Sequence, residues 1–397
     1  MTTMPRVAVA GGSIGGLTAA LTLRDIGCEV DIYERSSAKL ESRGAGIAVL
    51  QETSRYLTQR MGLPLDAFCS STSRLQFLNA DGTVLHDQHH DYHFSAWNTI
   101  YRFLHTEFER IPDRYHLGSE VTSFVSDDDG VTVNFTSGDP LHVDLLVCAD
   151  GIKSPARHAL LPDVKSEYAG YVAWRGTVPE KDLSPETYDL LYDALTYQVL
   201  ENSHILVYPI PDHDGATSPG HRLMNIVWYR NLTPNGDYEA AFTDTTGYVH
   251  DISLPPGAGR KEVLDEVRDF ARAQLAPAIA EVVTSVDELF AQAVFDITVP
   301  HMAFDRVCII GDAGSTARPH AAAGTAKAAE DGWSLAEEIE RANGDVRTAL
   351  PVWEARQLAV ASQVAARART VGTASQVNST FGPDHPNLLF GLRGSGL

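Results

Sequence analysis

Two short stretches of this chain combine residue types that do chemistry. In the first, the apolar run Val307 to Ile310 breaks at Gly311-Asp312, then continues through Arg318-Pro319-His320 and a small-residue turn to Gly324. A helix beginning beyond Gly324 would aim its positive end at negative charge. In the second, Gly11-Gly12-Ser13-Ile14-Gly15-Gly16 follows the strand pattern RVAVA. In a G-x-G-x-x-G frame Gly11 permits the tight turn and Gly16 permits close strand–helix packing, while Ser13 replaces the middle glycine. The helix that follows offers backbone N–H groups to a pyrophosphate. Glu34 lies 18 residues beyond Gly16, at the end of the second strand, where ribose hydroxyls would fall. A glycine-rich packing turn would explain the glycines alone. The complete βαβ pattern with Glu34 favours a dinucleotide.

Those groups need a frame. Residues 6–10, the helix Thr18 to Ile26 and the alternating strand Cys28 to Tyr33 make the βαβ unit. Hairpin signals occur at Asp81-Gly82, Asp129-Gly130 and Ser137-Gly138, and Leu145 to Ala149 is a buried strand ending at Asp150-Gly151. From 168 to 230 four segments alternate in polarity, which suits an antiparallel sheet. Helix is expected over 261–284, strand over 290–298, and mostly helix from 326, with an exposed tail after 345. The fold class is α/β. A discontinuous Rossmann-type domain (1–72, 98–167, 285–345) carries an inserted sheet domain (73–97, 168–284) and a helical tail (346–397).

Bulk properties limit the partners. The chain has 397 residues and a net charge of −21, which disfavours nucleic acid and anionic membranes. Its 4 cysteines form no CxxC pair and fit a reducing, cytoplasmic setting. The uncharged run Val7 to Leu23 imitates a signal-peptide core, but its glycines sit at phosphate-loop spacing. His86, His89, His90 and His93 lie in a polar connector without a supporting carboxylate pattern beyond Asp91, so no metal is expected.

Asp150-Gly151 followed by Ser154 and Arg157, beside the glycine turn and Gly311-Asp312, resembles the single-component FAD-dependent aromatic hydroxylases. The stretches 168–176, 204–211 and 318–324 are similar to the 2,6-dihydroxypyridine 3-monooxygenase branch of that family. The resemblance covers the chain to about residue 380. It implies bound FAD, NAD(P)H as co-substrate, a flavin hydroperoxide that oxygenates an electron-rich ring, and a homodimer. It also implies that Asp312 meets the ribityl chain, that Asp150 lies near FAD and NAD(P)H, and that Arg102 reaches the FAD phosphates. Arg35, Arg43, Gly46 and Ala323 complete the expected cofactor set. The family pattern ends in Asn where this chain has Ala326, so one donor is expected to be missing.

Ring hydroxylation calls for a base. His204 and Tyr208 share one strand face with Leu206 between them, and a histidine near pKa ~6.5 can take a ring proton. A core histidine satisfied by a neighbour is the alternative. Pro319 is expected beside the flavin. His320 either faces the substrate or caps a helix. Trp174, Arg175, Tyr197, Asn225 and Trp228 are candidates to line the ring site, although alternation admits only about half. A flavin halogenase is disfavoured because no Trp-x-Trp occurs. A flavin reductase, a non-catalytic FAD sensor and a tailoring enzyme for a bulkier ring remain as rivals.

Overall fold

The computed structural model describes residues 4–40, 45–234 and 236–396, so the expectation for Arg43 falls outside the described residues. Six strands form the nucleotide-type sheet, in the order β17 (Ala303–Phe304), β18 (Val307–Ile309), β10 (Leu145–Cys148), β1 (Arg6–Ala10), β2 (Glu29–Glu34) and β6 (Tyr115–Leu117). All its pairings are parallel except β17 with β18. The two chemical stretches therefore follow β1 and β18, the two strands of one sheet that flank β10. A small sheet of β7 (Val121–Ser126), β8 (Val131–Phe135) and β9 (Leu141–Val143) lies alongside.

Helices follow in chain order: α1 (Ile14–Asp25), α2 (Gln51–Arg55), α3 (Trp97–Phe108), α4 (Pro155–Leu160), α5 (Pro185–Leu191), α6 (Asp237–Phe242), α7 (Lys261–Gln274), α8 (Pro277–Ser285), α9 (Gly324–Arg341) and α10 (Val346–Gln376). The expected helix over 261–284 is two, because Pro277 cannot donate to the preceding turn and instead starts α8 at its favoured first position. A close approach holds α1 against α9. A Cβ on Gly332 would lie 2.6 Å from the Ala19 backbone, and Thr22 Oγ1 donates to the Gly332 carbonyl at 3.1 Å.

The large sheet has nine strands, ordered β15 (Ser253–Leu254), β16 (Phe290–Asp296), β11 (Glu167–Pro179), β14 (Leu223–Asn231), β13 (Ser203–Ile210), β12 (Ala194–Leu200), β4 (Ser70–Leu78), β5 (Val84–Ala96) and β3 (Gly46–Ala48). It is antiparallel apart from the parallel β12–β4 pair. The expected histidine connector is thus strand β5. Period two sorts each central strand cleanly. Val172, Trp174, Ile205, Val207, Met224, Ile226 and Trp228 pack beneath α7 and α8. Tyr171, Ala173, Leu206, Tyr208, Val227 and Tyr229 face the opposite side. The tail after 345 is not an exposed appendage, as its sequence suggested. Val360, Val364 and Ala368 of α10 are buried against Ala323 and Ala326, and Val371 and Ala374 join the core beneath the sheet.

Candidate active site

A groove runs between the two main sheets as two adjoining cavities of about 450 and 530 Å³, sharing Ser13, Trp97, Ala149, Gly151, Ile152 and Ile252. The outer cavity is lined by Gly11, Glu34, Arg35 and Asp150. Glu34 is buried, and it accepts from Gly12 N at 2.9 Å and Ser36 N at 2.8 Å, which fixes the glycine turn. Gly11 has φ +105°, and a Cβ there would meet the Ala149 carbonyl oxygen at 2.3 Å, so both conformation and space require glycine. Ser13 and Ile14 begin α1, whose first N–H groups open on the groove beside Gly15 and Gly16.

Asp150 and Arg157 join the two stretches. Asp150 Oδ2 accepts from Ala156 N at 3.1 Å, while its Oδ1 is buried without a partner, and burial raises its carboxyl above the ordinary range. Arg157 is buried and donates to the Ala313 carbonyl at 3.0 Å and the Asp312 carbonyl at 3.3 Å. That bond ties the end of β10 to the turn after β18. Asp312 opens into the inner cavity, and burial raises its carboxyl against the opposing charges of Lys327 and Arg157. Beneath it, Asp331 Oδ2 accepts from Gly311 N at 2.8 Å and Lys327 Nζ at 2.7 Å. Gly324 and Thr325 bring the N-terminus of α9 to the cavity wall.

This groove fits FAD. It joins a pyrophosphate-type turn and an acid for ribose at one end to a carboxylate and a helix N-terminus at the other, with an unpartnered buried carboxylate oxygen between.

The inner cavity ends among aromatic rings. His204 lies 5.3 Å from His320 and 4.8 Å from Tyr229, centroid to centroid, and Tyr229 is 4.7 Å from His320. Gln376 Nε2 donates to His204 Nδ1 at 3.2 Å, so the cavity-side Nε2 carries the hydrogen. Burial pushes His204 down to about 3. His320 is also held well below its ordinary value, by burial and by the neighbouring His204 and Arg318. Its Nε2 pairs with Tyr171 Oη at 2.6 Å, and its Nδ1 has no hydrogen-bond partner.

An FAD binding domain-like family model matches residues 168–296. The 2,6-dihydroxypyridine 3-monooxygenase of Paenarthrobacter nicotinovorans is 35% identical over 398 residues, covering 98% of this chain and 96% of that protein. The chain is an FAD-dependent aromatic hydroxylase. The solved 2,6-dihydroxypyridine-3-hydroxylase from Arthrobacter nicotinovorans superposes with TM-score 0.92 at 34% identity, covering 99% of this chain and 98% of that one. A 3-amino-4-hydroxybenzoate 2-monooxygenase of Streptomyces platensis is 26% identical over 388 residues, 93% of this chain and 88% of that protein. FAD is the hydroxylase's cofactor, and NAD(P)H is the reductant typical of its class.

The hydroxylase departs from several sequence expectations. Trp174 and Trp228 point to the helix side of the sheet, where Trp228 Nε1 donates to Ser203 Oγ at 3.1 Å, so neither lines the ring site. Tyr208 and Arg175 line the inner cavity as expected and, together with Asn225, which does not, converge on Gly46. Its carbonyl accepts from Tyr208 Oη at 3.1 Å and Arg175 Nη2 at 2.7 Å, and its N–H donates to Asn225 Oδ1 at 2.9 Å. Arg175 also holds Gln292 at 3.2 Å. Tyr197 does line the inner cavity, stacked 5.0 Å from Phe77. Pro319 is exposed on the cavity wall.

Arg102 is half-buried on α3 and lines neither cavity. Ala323 and Ala326 pack against α10, so an Asn at 326 would not face the cavity and no donor is lost there. Among the described residues no group of histidines, cysteines or acids is arranged to hold a metal, and no helix is long and apolar enough to cross a membrane.

His204 is therefore not the ordinary base its sequence context suggested. Both site histidines are neutral at pH 7, and the His204 Nε2–H is a donor. The same burial makes stability acid-sensitive. With a folded pKa of about 3 against ~6.5 unfolded, the unfolded chain binds the extra proton between those values. Stability is therefore full above the unfolded pKa and falls as pH drops through this window, by up to about 1.4 kcal/mol per unit for each such histidine. Urea unfolding of the wild type and of His204→Phe at pH 7.5 and 5 should show a shallower acid loss in the variant. Equal losses would mean His204 titrates normally.

Proposed function

We propose that the chain hydroxylates a neutral hydroxypyridine or a related electron-rich ring, using NAD(P)H and O2. The observation that carries this reading is the uncharged ring end of the inner cavity. Among the described residues lining that cavity, the only charged side chains are Arg175 and Asp312. Arg175 is engaged by Gly46 and Gln292, and it stands four residues along β11 from Tyr171, about 13 Å at the usual strand rise. Arg318, the cation beside His320, does not line the cavity and pairs with Asp296 at 3.0 Å, so among the described residues no cation at the ring end is placed to receive an aromatic carboxylate.

The histidines instead offer neutral groups. His204 presents Nε2–H as a donor. His320 holds its Nε2 against the Tyr171 oxygen, and its Nδ1 is buried without a partner. A pyridinol in its keto form carries a ring C=O, which matches the His204 donor. The His204 donor also favours the ionised ring oxygen, which raises the share of the ring in its more nucleophilic form. Tyr197, Tyr229 and Phe381 enclose the ring and exclude water. Bound FAD supplies the oxygen activation, drawing electrons from the nicotinamide. The relative at 35% identity, named for 2,6-dihydroxypyridine, supports the same substrate class. A cytoplasmic homodimer accompanies this reading: the four cysteines are free and buried, which supports a reducing compartment, and the dimer rests on resemblance.

Stopped-flow flavin absorbance with NADH or NADPH tests the proposal. 2,6-Dihydroxypyridine should accelerate flavin reduction and yield an oxygenated product, whereas 4-hydroxybenzoate should do neither. A flavin that stays oxidised with every ring would favour a non-catalytic sensor. Faster turnover of the benzoate would overturn the neutral-ring reading.

A further inference from the structure

Behind the ring end lies a feature that the hydroxylation chemistry does not use. A groove of about 340 Å³ opens between the end of β4, the start of β5, the end of β12 and the segment 381–383. Phe381 lines both this groove and the inner cavity. Its ring is 5.3 Å from His204 on the cavity side and 6.5 Å from Phe77 on the groove side, so one aromatic ring separates the two spaces. Phe381 is 6% exposed.

The segment that carries it is pinned on both sides. Thr380 N donates to the Ala374 carbonyl at 2.8 Å, and Ser379 Oγ donates to Asn202 Oδ1 at 3.0 Å. Further on, Arg393 Nη2 donates to buried Glu330 at 2.8 Å. Phe381 is thus a fixed wall, not a side chain on a loose strap.

We infer that Phe381 is the specificity-determining residue of the ring site, setting an upper limit on substrate size where the cavity meets the groove. The inference rests on the proposed aromatic hydroxylation at His204 and His320 and adds which rings the site refuses. The groove's own chemistry defines what would fit once the wall is cut back. Leu78, Leu85, Leu200 and Pro383 give it apolar sides, and the exposed Asn79 and Glu201 add polar groups. The nearby Gln198 amide is fully engaged, donating to the Gln274 carbonyl at 3.0 Å and accepting from Ala276 N at 2.7 Å. An unbranched alkyl chain on the ring is the matching substituent. An anionic one is not, because Glu201 lines the groove.

The test compares wild-type holoenzyme with Phe381→Ala and Phe381→Leu, using 2,6-dihydroxypyridine and a butyl-substituted congener. Turnover is read as oxygenated product, and binding as perturbation of the flavin absorbance. Wild type should prefer the parent ring. Phe381→Ala should raise kcat/KM for the butyl congener at least about tenfold, with the leucine variant between, since single-methylene differences in apolar pockets already reach 10-fold or more. Leu85→Trp added to Phe381→Ala should fill the groove and restore rejection, which a merely loosened site would not do. If both Phe381 variants bind and turn over the parent but still refuse the butyl ring, the wall is elsewhere. If wild type turns over neither ring, the ring-class reading fails. The wall is then judged by binding alone: a tighter butyl congener in Phe381→Ala supports it and unchanged binding overturns it.

Discussion

Gly16→Ala should give a protein that no longer retains FAD and that melts well below the wild type. A Cβ at residue 16 would lie 2.0 Å from the Gly11 carbonyl oxygen and 3.3 Å from the Ala149 Cβ. Neither neighbour is a flexible side-chain end, so the strand–turn–helix unit itself must open. Overpacking of a core usually costs about 1–3 kcal/mol, and a backbone clash belongs at or above that range. Gly324→Ala is the informative contrast. No protein atom stands within 4 Å of a Cβ there. It should leave the apoprotein's melting point unchanged while weakening FAD retention, because only a ligand in the groove would meet the new methyl. Flavin-to-protein absorbance after gel filtration, with thermal melts of both apoproteins, checks the pair. An FAD-replete Gly16→Ala would mean the turn is not where the cofactor binds.

His204→Phe should lower kcat/KM by about 10²–10³-fold, a loss of the size seen when a donor to a substrate oxyanion is removed. Phenylalanine fills the buried site, so FAD content should hold. Tyr208→Phe shares the strand and face yet should cost less than about tenfold, because Arg175 Nη2 still donates to the Gly46 carbonyl at 2.7 Å. Because both histidines are neutral across ordinary pH, the wild-type kcat/KM profile should show no inflection near pH 6.5. Equal losses in the two variants, or a limb at that pH, would return His204 to the role of a conventional base.

What the sequence made legible was what period and spacing encode. Glycine positions and Glu34 name the groove because a phosphate turn and its ribose acid have a local signature, while Asp150 and Asp312 were reached through the family resemblance. His204 and Tyr208 sit on one face because strands alternate. Alternation alone cannot say which face is inward when both are covered. Trp174 and Trp228 were misplaced for that reason: α7 and α8 bury the far side as thoroughly as the cavity side is buried. Nor does spacing reveal that Tyr208, Arg175 and Asn225 would spend their hydrogen bonds on Gly46, since those partners lie 129 to 179 residues away in sequence. The charge state of His204 was hidden likewise, because burial comes from the assembled sheet and from Gln376 at the far end of α10. Trp97 and Phe381 left no local signal beyond being aromatic, and the latter sits in the stretch expected to be a helical tail.

The central place of β10 between β1 and β18 has a consequence for synthesis on the ribosome. α1 is buried at nine of its positions, and part of its cover is α9, through Thr22 and Gly332. At roughly 5–20 residues per second, the roughly 300 residues between those helices take on the order of 15–60 s to emerge. For that interval the first βαβ unit leaves apolar surface uncovered, and the flavin groove lacks one bank. Cofactor capture is therefore a late event in the life of the nascent chain, and holdase chaperones and free FAD should govern yield more than codon usage near the start.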